Sequence, residues 1–200
     1  MNKTVDYFMT PVSPFTYLGH DRFREICAKH QAKIHLHVMD LGKVFPVSGG
    51  LALKDRPPQR RAYRMMELKR WRDLLGLPLT LEPKHFPVPA EPAATLILAV
   101  LAHHGVSAAL DIAGDCARAV WAEERNVSEP EVLAEILAAR QLASAELIEY
   151  AKSAEVAARY VQHSQDAIAR NLFGAPTYIY RDELFWGQDR LDFLDRALAA

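Results

Sequence analysis

The run Thr10-Pro11-Val12-Ser13-Pro14-Phe15-Thr16-Tyr17 closes a short apolar strand and opens a helix. Serine at the cap followed by proline at the first helical position is the chemistry of a helix start. A serine there forms no disulfide. The free backbone N–H groups and the positive end of the helix dipole nevertheless favour an anion, and the natural guest is a thiolate carried by a bound molecule. Capping alone would also explain Ser13, and these residues leave both readings open. Near the other end of the chain, Gly174-Ala175-Pro176-Thr177 precedes a strand, where proline is tolerated because no ladder donor is needed. A cis Ala175–Pro176 bond would turn the Ala175 N–H and C=O outward to pair with a peptide-like ligand as a short antiparallel strand. A trans proline that only opens the strand is the plainer alternative.

The elements that must position these residues are readable from periodicity. Val5–Met9 is a short apolar strand, and the helix begun at Ser13 extends to about Lys29 with Phe23, Ile26 and Cys27 on one face. Lys33–Met39 alternates, with Ile34, Leu36 and Val38 on one side, as a half-buried strand does. Strand, helix and strand of these lengths predict a right-handed βαβ unit with parallel strands. Pro58–Leu75 reads as a helix with Leu68, Trp71 and Leu75 in register, stopped by Gly76 and Pro78. Proline-punctuated, irregular chain follows to Pro89. Helices are then expected over 91–104, 107–125, 131–138 and 144–170, the last broken near Ser153. Strands return at Pro176–Tyr180 and Glu183–Trp186 around a tight Arg181-Asp182 turn, before a final helix over Asp189–Ala199. The order β-α-β, helices, β-β-α predicts an α/β chain of thioredoxin-like fold. Segments 1–45 and 172–200 would form the thioredoxin-like domain and 46–171 an all-helical insertion.

Composition narrows the function. Of 200 residues half are hydrophobic and 24% are charged, with a formal net charge of -1, which gives no electrostatic case for nucleic acid. Only Cys27 and Cys116 occur, far apart on apparent helix interiors, so packed free thiols in a reducing cytoplasm are expected and a metal site is not. His30, His35, His37 and the pair His103-His104 lack acidic or cysteine partners at ligand spacing. The N-terminus lacks the pattern of a secretory signal. The apolar run Leu96–Ala102 is interrupted by His103-His104-Gly105 and is too short for the ~20 residues of a membrane span. Between Lys54 and Arg72 lie Lys54, Arg56, Arg60, Arg61, Arg64, Lys69, Arg70 and Arg72 against Asp55 and Glu67. This cluster is either a solvated helix face or a cationic rim that draws in acidic ligands.

Three motifs, Ser13-Pro14-Phe15-Thr16-Tyr17-Leu18, Gly174-Ala175-Pro176-Thr177 and Phe185-Trp186-Gly187-Gln188-Asp189-Arg190-Leu191, together with Tyr63 and Arg70-Trp71, resemble the 2-hydroxychromene-2-carboxylate isomerases of the kappa-class glutathione transferase and DsbA-like group. The resemblance implies a glutathione site in which Ser13 holds the sulfur. The backbone at Ala175, beside Pro176, would pair with the cysteinyl unit, and Trp186, Gly187, Gln188 and Asp189 would hold the γ-glutamyl end. It implies isomerisation of 2-hydroxychromene-2-carboxylate or a related aromatic carboxylate by reversible thiolate addition, in a homodimer. Phe86 and Pro87 would wall the aromatic substrate. The chain departs from the group's pattern at Thr16, at Ala175 and in Ser48-Gly49-Gly50-Leu51. A kappa-like transferase or peroxidase that consumes glutathione, and a thioredoxin-like binding module without chemistry, are the alternatives.

Overall fold

The computed structural model describes residues 3–200. Strand β1 (Thr4–Met9) lies inside a four-stranded sheet of order β2-β1-β3-β4. It pairs in parallel with β2 (Lys33–Val38), from Thr4 opposite Lys33 to Met9 opposite Val38, through the crossover helix α1 (Pro14–Lys29). On its other side it pairs antiparallel with β3 (Thr177–Tyr180), Phe8 facing Thr177. β3 turns back into β4 (Glu183–Trp186) through Arg181 and Asp182, whose φ values of 50 and 64° are the left-handed pair a two-residue hairpin of this hand requires.

The period-2 pleat divides the core. Val5, Tyr7 and Met9 face α1 and the helical insertion, where Tyr7 stacks on Tyr178 at 5.3 Å and both rings meet Phe23. Phe8, Ile179 and Met39 face the opposite way, under α2 (Leu41–Ser48) and α7 (Ala154–Ala169), through Val44 and Ala167. Buried His20 pins α1 to the insertion. Its Nε2–H donates to the Leu110 carbonyl at 2.9 Å, so Nδ1 is left to accept from the Tyr7 hydroxyl at 3.2 Å.

Between the two halves of the sheet run α3 (Pro58–Leu75), α4 (Glu91–Trp121), α5 (Pro130–Ala139), α6 (Ser144–Ala151) and α7. The helices expected over 91–104 and 107–125 follow one another as the two halves of α4, separated by a sharp kink at Gly105, whose φ 78 and ψ 179° are not helical, and the second half ends at Trp121. By length and composition alone α4 could cross a membrane, but 56% of its most apolar stretch is buried inside the protein, as befits a central core helix. The break near Ser153 is a new cap, with Ser153 Oγ accepting from the Val156 N–H.

Two features differ from expectation. α2, which no periodicity announced, is started by Asp40, whose side chain accepts from the Gly42 N–H at 2.8 Å, although Pro46 lies within it. The last helix, expected from Asp189, is preceded by a 3₁₀ turn over Gln188–Arg190 and begins as α8 (Leu191–Ala199). Asp189 therefore does not cap it. Its carboxylate pairs with Arg190 at 3.3 Å.

Candidate active site

The geometry begins at the mouth of α1. Ser13 has extended backbone angles, and its Oγ accepts from the Thr16 N–H at 3.3 Å. An oxygen that accepts in this way keeps its own hydrogen to donate elsewhere. The side chain is only 8% exposed, and the first turn of α1 carries no acidic residue, so no like charge opposes an anion there. Thr16, one turn on, is fully buried and its hydroxyl has no partner among the described residues.

The C-terminal hairpin approaches the same end of the sheet. Continuing the β1–β3 register by one residue puts Pro176 opposite Met9, four residues before Ser13. The Ala175–Pro176 bond is cis. The Pro176 carbonyl accepts from the Gly187 N–H at 2.9 Å, and Thr177 Oγ1 donates to the Gly174 carbonyl at 2.7 Å, which ties the turn to the end of β4. Gly187 has φ 99°, a region that glycine adopts readily and other residues do not.

The other residues of this loop are divided. Gln188 is 1% exposed, and its Oε1 accepts from Arg22 of α1 at 3.2 Å, so its side chain joins the loop to α1. The join is tight. A Cβ on Gly19 would lie 2.6 Å from Gln188 Cβ. Trp186 is half exposed, with its ring edge-on to Phe173 at 4.8 Å and its indole against Gly174. Asp189 stays at the surface beside Arg190.

On the insertion side, Phe86 precedes a second cis proline, Pro87, and packs on Trp121 at 4.6 Å. Trp121 is fully buried and donates its indole N–H to the Val12 carbonyl at 3.2 Å, immediately before Ser13. Sequence reasoning missed Trp121. A lone tryptophan at the end of an apolar helix carries no mark of a site until the fold brings it under Val12.

Other sequence candidates lie apart from Ser13. A cavity of about 710 Å³ at the opposite end of α1 is lined by Cys27, Lys33, Leu101 and Val106, and one of about 330 Å³ by Phe173, Trp186 and Phe193; Ser13 borders neither. Cys27 and Cys116 are buried, and desolvation pushes both thiols up to about 12. His35 and His37 both approach Asp6, but among the described residues no group of three or more His, Cys, Asp or Glu could hold a metal.

A family model described as the DSBA-like thioredoxin domain matches residues 4–199. The chain is 28% identical over 199 residues to a 2-hydroxychromene-2-carboxylate isomerase of Pseudomonas putida, covering 97% of this chain and 93% of that protein. It is 27% identical to the enzyme of the same name from Sphingobium xenophagum, covering 99% of each. A solved 2-hydroxychromene-2-carboxylate isomerase superposes with a TM-score of 0.84 at 25% identity, over 98% of this chain and 94% of that one. The cytosolic disulfide reductase DsbM from Pseudomonas aeruginosa, solved with GSH, shares the fold at a TM-score of 0.70 and 19% identity, over 98% and 100% of the two chains. The chain therefore belongs to the DSBA-like thioredoxin family and, over nearly its whole length, is similar to isomerases named for 2-hydroxychromene-2-carboxylate.

Proposed function

We propose that the protein is a glutathione-dependent cis–trans isomerase of 2-hydroxychromene-2-carboxylate or a related aromatic carboxylate. Ser13 carries the reading: a helix-capping hydroxyl with its hydrogen free to donate, at the mouth of α1, in a DSBA-like chain whose own two thiols are buried elsewhere. Donor chemistry and the lack of nearby acid fit a thiolate guest. Bound glutathione would supply a thiolate for reversible addition to the conjugated ring-opened substrate and would be returned as the thiolate, so that nothing is consumed.

The chain's own groups bind and orient. Ser13 Oγ–H and the N-terminus of α1 hold the sulfur as an anion and keep its proton off. Ala175, beside Pro176, pairs through its backbone with the cysteinyl unit. Trp186, Gly187, Gln188 and Asp189 form the γ-glutamyl end, Gln188 acting through the backbone and through its hold on Arg22, and Asp189 as the exposed acceptor for an ammonium group. Phe86 walls the substrate side. In this reading 1–45 and 172–200 act as the thioredoxin-like unit and 46–171 as the helical cap over it, in a cytoplasmic homodimer.

Thermal-shift titration with reduced, S-methyl and oxidised glutathione tests the proposal. The reduced form should raise the Tm of the wild type, and Ser13→Ala should diminish that rise. An unchanged Tm at millimolar glutathione defeats the reading. Under turnover with 2-hydroxychromene-2-carboxylate total thiol should stay constant; its decline would identify a transferase or peroxidase instead.

A further inference from the structure

The basic run on and before α3 is two populations. Toward the C-terminus of the helix each cation has an acid: Lys69 with Asp73 at 2.5 Å, Arg70 with Glu67 at 2.5 Å, Arg72 with Asp73 at 2.9 Å. That half is a self-neutralised solvent face. Toward the N-terminus, Arg56, Arg60, Arg61 and Arg64 pair with no carboxylate among the described residues.

Arg64 stands out within that group because it is partly buried against aromatic rings. Its guanidinium carbon lies 5.6 Å from the Phe86 centroid and 5.7 Å from that of Trp121. Its one polar contact among the described residues is the weak acceptor Met65 Sδ at 3.7 Å, which leaves most of the N–H fork free. The position near α1 follows from Trp121, whose indole N–H donates to the Val12 carbonyl at 3.2 Å while its ring lies against Arg64, next to the start of α1. Burial and the neighbouring charge of Arg56 push the Arg64 guanidinium down to about 10, so it remains a cation at neutral pH with no counter-ion among the described residues.

A half-desolvated cation flanked by two aromatic faces, one of them anchored beside Ser13, is built to receive a planar anion. We propose that Arg64, walled by Phe86 and Trp121, is the receptor for the carboxylate of an aromatic 2-oxo acid held alongside Ser13. This deepens the isomerase reading and rests on it for the reaction, not for the binding. The glycyl end of glutathione offers the same carboxylate chemistry; the aromatic walls favour the aromatic acid.

Calorimetric titration without glutathione, using phenylpyruvate and its methyl ester, tests the assignment. The wild type should bind the acid at least ten-fold more tightly than the ester. Arg64→Met should bring the acid down to the level of the ester, leaving ester and glutathione affinities within two-fold, while Arg60→Met, on an arginine with no aromatic wall, should change neither. Arg64→Lys, which keeps charge and loses the fork, should fall between and decides the matter if the methionine variant does not fold. Equal acid affinity in wild type and variant overturns the proposal, as does equal weakening of acid and ester, or a loss confined to glutathione. Because the acid titration contains no glutathione, failure of glutathione to bind would sink the isomerase reading and leave the Arg64 result standing.

Discussion

Ser13 has two separable duties. As a cap it accepts the Thr16 N–H, an interaction worth about 1 kcal/mol. As a donor it would stabilise an anion. Aspartate caps as well as serine but brings a negative charge to the place a thiolate would occupy. Ser13→Asp should therefore keep the wild-type Tm and lose glutathione binding at least ten-fold, whereas Ser13→Ala should lose about 1 kcal/mol of stability together with binding. Retained affinity in the aspartate variant would mean that the sulfur lies elsewhere. Ser13 was legible as the cap of α1 because Pro14 follows it. Arg64 was legible only as one of eight cations, since nothing local separates an arginine that finds Glu67 or Asp73 from one that meets aromatic faces brought from residues 86 and 121.

At the scale of elements, the site depends on how closely α1 seats against the turn after β4. Gly19 allows that approach, and a methyl group there would meet Gln188 Cβ at 2.6 Å. Gly19→Ala should cost about 1–3 kcal/mol, as overpacking does, and weaken glutathione binding along with it, measured by denaturant titration and calorimetry. On the far face of the sheet, His163 Nδ1 accepts from the Val38 N–H at 3.1 Å, and burial, followed by the charge of His37, lowers its pKa to about 4. Between about 4 and the ordinary 6.5 the unfolded chain binds a proton that the folded chain refuses. Stability is thus full above 6.5 and falls as pH drops through that window. His163→Asn, which offers an acceptor but no titration, should flatten this loss by roughly 1–3 kcal/mol in denaturant titrations at pH 4.5 and 7. The strands and most helices were legible because caps and stops agree with periodicity. α2 was not, because Gly42, Pro46 and Gly49 read as loop, and the packing of Val44 with Phe8 and Met39 supports the helix that Asp40 caps. The interruption of α4 was legible, since Gly105 falls where the apolar run stops and its backbone leaves the helical region.

Across the whole molecule one hydrophobic core joins both parts of the chain, running from Val5 and Tyr7 through α4 and α5 to Tyr178, Phe185 and Leu194. Trp121 and Arg24 tie them further, the first to Val12 and the second to Asp111 at 2.7 Å. Far-UV circular dichroism and tryptophan fluorescence, reporting helices and Trp71, Trp121 and Trp186 respectively, should therefore follow a single coincident transition in urea. Two separated midpoints would show that the insertion unfolds alone. The overall order was legible because a βαβ start and a ββα finish have few ways to share a sheet.

Both cysteines of the chain sit under packed side chains with their protons held fast at neutral pH. A fold whose relatives trade electrons through sulfur is here inert toward them. While folded, it offers glutathione disulfide no partner for exchange and electrophiles no cysteine thiolate of its own.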